Sequence, residues 1–318
     1  MSRKLYSSTV AENPTKQDEA KDRPLVAIFL LLSAMAIVPA MDACAKWLSA
    51  EFDVLQITWA RYFFHMMAIL PLVVWRHGLR NLWPARPALQ LVRSGFLFGS
   101  TVFFFAAIAR MPMADALAMV FVSPLIVTAL SPWLLGEHVG PRRWGAVAVG
   151  FLGTCIIVRP DLSGSTTLQG GALFALSAGC LYALYTLSTR KLSGSAPPLV
   201  TLTFTSLTGA VIMTAIVPFV WKTPDAQAWL LMVIMGLIAA GGHYLIILAF
   251  ERAPASLLAP FGYSEIVWTA LLGYVIFGNF PDSWTWLGIA VVVACGIYIS
   301  LREAKRQPQA KPTPNQPL

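Results

Sequence analysis

The chain has 318 residues, of which 57% are hydrophobic and only 12% charged, with a formal net charge of +8. Soluble domains carry about 25% charged residues, and uncharged runs such as Leu117 to Leu135 and Gly288 to Leu301 exclude a water-soluble fold. Lys and Arg gather in short loops and tails, without a basic helix face interleaved with stacking aromatics, which argues against a nucleic-acid partner.

Residues 1–23 mix Glu12, Asp18, Glu19 and Asp22 with basic residues and are expected to form a solvated cytoplasmic tail. They do not read as the n-region of a signal peptide, and the apolar run that follows is too long for an h-region. Ten apolar spans come next, each near the ~20 residues that cross a hydrocarbon core about 30 Å thick. In chain order they are Pro24 to Leu48, Leu55 to Trp75, Leu89 to Ala109, Ala114 to Leu135 and Trp144 to Val158, then Leu168 to Thr189, Leu199 to Trp221, Trp229 to Ala249, Ser256 to Phe277 and Trp284 to Leu301. Short connections separate them, several marked by proline, such as Pro112, Pro141, Pro198 and Pro254. Residues 302–318, rich in Lys, Gln and Pro, are expected to be a disordered cytoplasmic tail. Cys44, Cys155, Cys180 and Cys295 all lie in apolar spans without a CxxC pair and read as small buried hydrophobes, so neither a metal nor a cofactor is expected.

Placing both termini in the cytoplasm leaves eighteen basic residues on that side and four, Lys46, Arg110, Arg159 and Lys222, on the other, with Arg61 inside a span. The positive-inside rule selects that orientation in a bacterial-type inner membrane.

Self-comparison reveals a duplication. At an offset of 142, Ala109-Arg110-Met111-Pro112 meets Glu251-Arg252-Ala253-Pro254, and Leu135-Gly136-Glu137 meets Phe277-Gly278-Asn279. At 143, Gly145 and Gly153 meet Gly288 and Gly296, and at 144, Lys46 meets Arg190. The repeats are expected over residues 24–159 and 168–301. Five spans is an odd number, so the second copy must enter the bilayer upside down relative to the first. Inverted repeats are related by an axis in the membrane plane and suit alternating access to a central site.

The blocks Ser123-Pro124-Leu125 through Gly136-Glu137, with Trp144-Gly145 and Gly153, resemble the first EamA domain of the drug/metabolite transporter superfamily. Ser264-Glu265-Ile266 through Phe277-Gly278, with Gly288 and Gly296, resemble the second. The resemblance runs from about Val26 to Ser300, with two departures: Ile266 where the family often has proline, and Asn279 where it often has glutamate. It implies an all-α membrane protein of ten transmembrane helices in two inverted five-helix repeats. It also implies a cavity lined by spans one, three, four, six, eight and nine.

Charge within a span costs roughly 2.5 kcal/mol or more at the bilayer centre, so each such group needs a partner or a watery cavity. Glu265 lies about midway along span nine, suited to a cationic substrate group or an exchangeable proton; the bland alternative is a carboxyl bonded to a neighbouring helix. Tyr263 precedes it and Trp268 follows at i+3, a cluster that suits a ring-bearing solute unless both rings simply pack. Asp42 in span one and Arg61 in span two lie at similar depth and are expected to pair, as a structural pin or as a gate, with His65 one turn beyond Arg61. His243, Tyr244, Tyr182 and Tyr185 offer hydrogen bonds toward a central space, and the resemblance supports placing Tyr182, Tyr185, His243 and Asp42 on the cavity wall.

These features predict a secondary transporter of a small metabolite, with the lipid bilayer and protons as its other partners, acting as a monomer or homodimer. The solute is expected to be aromatic or heterocyclic, a vitamin or cofactor such as riboflavin or S-adenosylmethionine taken up by the cell, or an amino-acid-like compound. Export of a metabolite or drug by the same fold is the alternative. A membrane-embedded enzyme or a sensor subunit is the reading from another class; no Walker A, HExxH or GxSxG motif favours the enzyme.

Overall fold

The computed structural model describes residues 24–78, 86–136, 139–158, 166–192 and 197–304. The expected tails at 1–23 and beyond residue 304, together with Glu137 and Arg159, lie outside the described residues. All regular structure among the described residues is helical: α1 (Pro24–Leu48), α2 (Val54–His77), α3 (Pro87–Ile108), α4 (Met113–Val120), α5 (Ser123–Leu135), α6 (Pro141–Val158), α7 (Thr166–Lys191), α8 (Pro198–Ile216), α9 (Ala226–Phe250), α10 (Ala255–Gly262), α11 (Glu265–Phe277) and α12 (Ser283–Ala304), with a 3₁₀ turn at Val217–Phe219. They make ten transmembrane spans, of which the fourth is α4 with α5 and the ninth is α10 with α11. Eight spans are long and apolar enough to qualify by length and composition alone. The others are the 18-residue α6 and the ninth span, made of pieces of 8 and 13 residues.

The two halves pack as inverted copies. α1 lies along α9 as α3 lies along α7; α2 meets α9 as α8 meets α3; α11 rests on α1 as α5 rests on α7; and α6 pairs with its own counterpart α12. Each of these contacts has a mate under one pseudo-two-fold axis, as inverted repeats require. Local chemistry repeats as well. Arg110 Nη1 donates to the Ala106 carbonyl at 2.8 Å and Arg252 Nη1 to that of Leu248 at 2.7 Å. Gly136 and Gly278 end α5 and α11, each with φ of 70°, a left-handed turn open to glycine at no steric cost. Lys46 Nζ donates to the last carbonyl of α3, Ile108 O, at 2.6 Å and to Met111 O in the turn that follows at 2.8 Å.

The breaks in the two discontinuous spans also correspond. Pro124 removes the N–H that would continue the ladder from α4, and the chain tightens through Val122 N to Met119 O at 3.1 Å. In the second copy Ile266 stands where a proline would, yet the helix breaks at the same place. There Ser264 donates twice to the Phe261 carbonyl, from its N–H at 3.1 Å and its hydroxyl at 2.7 Å. Phe121 and Tyr263, pseudo-symmetry mates 142 residues apart, meet edge to face with centroids 5.1 Å apart, so the two broken joints touch.

Glycines permit close crossing at several places: Gly153 abuts Val291 and Val292, Gly288 abuts Ile157 and the Gly153 backbone, and Gly99 abuts Leu181. Gly296 instead receives the Tyr263 hydroxyl, while Gly95 and Gly145 face open space.

Candidate functional site

A cavity of about 210 Å³ lies where the broken spans meet α1, α2, α3, α7 and α9. Its acidic groups are Asp42 of α1 and Glu265, the first residue of α11. Breaking the ninth span is what brings Glu265 here, because its carboxylate then sits at a helix N-terminus whose dipole favours negative charge. Asp42 is 3% exposed, and its Oδ1 has no hydrogen-bond partner within the protein. It lies within electrostatic reach of both Glu265 and Arg61.

Arg61 also lines the cavity but does not pair with Asp42 as the sequence suggested. Its Nη1 donates to Thr101 Oγ1 at 2.8 Å and its Nε to Met41 Sδ at 3.3 Å, and its guanidinium lies over the Tyr62 ring, 4.9 Å from the centroid. Neutral oxygens and ring faces on α2 and α3 therefore hold the cation, and the nearby carboxylate is left available. Phe104, Phe121 and Tyr182 supply aromatic walls.

Of the remaining expected residues, Tyr182 and His243 line the cavity, and His243 Nδ1 donates to the Ala239 carbonyl at 2.8 Å. His65 stands behind His243, ring centroids 5.6 Å apart, buried with Nε2 lacking a partner. Tyr185 is displaced by one turn, its ring 5.6 Å from that of Tyr182 and its hydroxyl accepting from Arg93. Tyr263 supports the wall from behind Phe121. Tyr244, about 100° round the helix from His243, packs against the apolar cluster that includes Ile69, Val73 and Leu199 and accepts from Arg76 at 3.3 Å. Trp268 lies with Val267, Leu271 and Tyr274 on the outer face of α11. Once the helix restarts at Glu265 that face turns away from the cavity, which takes Trp268 out of the site.

Sequence reasoning missed Ser123, Thr101 and Phe121 on the cavity wall. The repeat held a signal for the first, since Ser123 is the mate of Glu265 at an offset of 142. Arg93, within the expected third span and counted among the basic residues of the cytoplasmic side, is 4% exposed inside α3. Toward the end of the bundle that carries Phe250, Arg93 donates to Thr189 at 2.8 Å, Thr205 at 2.9 Å and Tyr185 at 2.9 Å, tying α3 to α7 and α8. At the opposite end, Trp59 stacks on Phe63 and meets Trp221 and Trp229 edge-on. Gln56 holds the backbone of Lys222 through two hydrogen bonds, at 2.7 and 2.9 Å. That end also opens a vestibule of about 620 Å³ whose polar lining includes Lys46, Glu51 and Asp225. Among the described residues no group of three or more His, Cys, Asp or Glu can hold a metal ion.

The cavity thus lies between the inverted repeats, with the Arg93 hydrogen bonds toward one end of the bundle and the Trp59 aromatic cluster toward the other. Over 281 residues the chain is 24% identical to the S-adenosylmethionine uptake transporter of Rickettsia felis, covering 88% of this chain and 94% of the relative. Over 300 residues it is 28% identical to the riboflavin transporter of Vibrio cholerae, covering 90% and 96%. A solved structure described only as a protein superposes with a TM-score of 0.63 over 88% of this chain and 99% of its own, at 21% identity, which shows a shared fold. The EamA-like transporter family matches over residues 25–159 and 169–302, both halves of the duplication, and the chain is a member of that family, a multi-pass membrane transporter of metabolites and not an enzyme.

Proposed function

We propose that this transporter takes up a cationic heteroaromatic metabolite of the S-adenosylmethionine class, by alternating access, in exchange for a proton carried on Glu265. The observation that carries the reading is the pairing of two carboxylates in one aromatic-lined cavity, one of them with an unsatisfied buried oxygen. A buried carboxylate without a partner is costly, so a substrate cation seated beside Asp42 gains the interaction the protein leaves open. The aromatic walls suit a planar heterocycle by stacking and by cation–π attraction. The Rickettsia relative, named for S-adenosylmethionine uptake, supports the same class. The excess of basic residues at the Phe250 end supports a cytoplasmic placement of both termini.

Riboflavin is the second reading, favoured by the aromatic walls and by the Vibrio relative. The test is flux into proteoliposomes that contain only this protein, with labelled S-adenosylmethionine and riboflavin as parallel probes and a pH gradient imposed in either direction. Gradient-dependent accumulation of S-adenosylmethionine is expected. Accumulation of riboflavin alone moves the assignment to the second reading, and flux of neither compound refutes both.

A further inference from the structure

We infer that the Phe250 end of the α6–α12 pair holds the headgroup of an anionic phospholipid, with Arg143 and Arg302 gripping its phosphate and Arg142 as an outer charge. This goes beyond the transport reading and does not rest on it. The starting observation is Arg143, the third residue of α6. It is 7% exposed, its Nε is buried without a hydrogen-bond partner, and its guanidinium makes no hydrogen bond or ion pair among the described residues. Arg93, buried to a similar degree, donates to Thr189, Thr205 and Tyr185. A guanidinium withdrawn from water with nothing to answer it is costly. Since arginine has only donors to offer, the partner it lacks is an anion or an acceptor.

The register of the helix pair brings up a second cation. Gly153 packs on Val292 and Gly288 on Ile157, and this antiparallel register, continued toward the Phe250 end, sets Arg302 across from Arg143. One turn short of that pair, Val147 and Ile299 share one buried cluster. Arg302 is half-buried; its Nε donates to the Tyr298 hydroxyl at 3.2 Å, and its guanidinium lies 5.8 Å from the centroid of that ring. Among the described residues no carboxylate pairs with Arg142, Arg143 or Arg302. Like charges facing across a helix pair repel, most strongly away from water. A phosphate between them replaces repulsion with attraction, and its oxygens match the planar arginine fork.

The surroundings identify the phosphate as a lipid's. Trp133, near the end of α5, and Trp144, beside Arg143, are both exposed and meet edge to face with centroids 6.4 Å apart. Exposed tryptophans at the ends of spans mark the depth of the lipid headgroups, which sets Arg143 level with phospholipid phosphates. Basic groups between transmembrane helices at that depth suit anionic headgroups. Further along α6, exposed Val149 and Leu152 offer the apolar face against which acyl chains lie. Because α6 belongs to one repeat and α12 to the other, such a headgroup bridges the repeats.

The test is native mass spectrometry of the full-length protein in detergent, titrated with phosphatidylglycerol, phosphatidylcholine or inorganic phosphate. The wild type is expected to bind phosphatidylglycerol about tenfold more tightly than phosphatidylcholine, the scale of one hydrogen bond between charged groups. Arg143→Gln is expected to bring that ratio close to one, and Arg143→Lys, which keeps the charge but not the fork, to recover only part of it. Arg302→Gln, at the less buried position, is expected to shrink the ratio severalfold and decides the matter if the Arg143 variants do not fold. A ratio unchanged in folded Arg143→Gln or in Arg302→Gln overturns the site, as does equal binding of the two lipids by the wild type. Displacement of phosphatidylglycerol by equimolar inorganic phosphate overturns the lipid as occupant.

Discussion

The buried charges divide into those that are satisfied and those that are waiting. Arg93 is enclosed by Gln90, Thr189, Thr205 and Tyr185, hydroxyls and an amide that disperse its charge without a carboxylate. Asp42 has an open oxygen instead, and the two differ in what a substitution should do. Asp42→Asn should weaken binding of a cationic substrate by about tenfold to a hundredfold, the range for a hydrogen bond to a charged group, with little change in thermal stability. An unchanged affinity would remove Asp42 from the site. Glu265→Gln should abolish accumulation driven by a pH gradient while preserving substrate exchange at equal pH on both sides. Loss of both activities in a well-folded variant would contradict a proton-carrying role.

At the level of elements, the carrier combines rigid crossings with broken joints. α6 and α12 meet through Gly153 and Gly288, and a Cβ added to Gly288 would come within 2.8 Å of the Gly153 carbonyl. Backbone cannot yield as a flexible side chain can, so Gly288→Val should cost about 1–3 kcal/mol, the usual range for overpacking. The check is the thermal midpoint of the detergent-solubilised protein. A midpoint equal to that of the wild type would mean that the crossing is looser than the structure shows. The joints at Phe121–Val122 and Tyr263–Ser264 place half-helix ends at mid-span, where a continuous helix could offer only side chains. Their contact across the pseudo-two-fold, Phe121 against Tyr263, ties the two repeats at the point where each must bend.

For the whole molecule, different chemistry lies toward the two ends of the bundle. Toward the Phe250 end a polar latch joins α3 to α7 and α8, centred on Arg93 and extended by Ser94 and Thr205, whose hydroxyl oxygens lie 3.3 Å apart. Toward the Leu48 end an aromatic cluster surrounds Trp59. The proposed alternating access requires the polar latch to part, since α3 belongs to one repeat and α7 and α8 to the other. A Ser94→Cys, Thr205→Cys pair, oxidised to a disulfide, should therefore arrest flux, and reduction should restore it. Flux that continues through the cross-linked protein would show that the latch is not a gate.

Some of this was legible in the sequence because membrane insertion and duplication act through composition and spacing. A span must be apolar over about twenty residues whatever it packs against, and paired motifs such as Arg110-Met111-Pro112 and Arg252-Ala253-Pro254 persist at a fixed offset. Ten spans, their inversion and the family likeness followed from these. Asp42, Glu265, Arg61, Tyr182 and His243 could be nominated because a polar group within a span is costly wherever it points. Direction, partner and depth were decided by tertiary structure alone. Only the break before Glu265 turns Trp268 outward, only the approach of Thr101 draws Arg61 from Asp42, and only the meeting of α3, α7 and α8 makes a buried latch of Arg93, because each outcome depends on which neighbouring helix supplies the competing hydrogen bond.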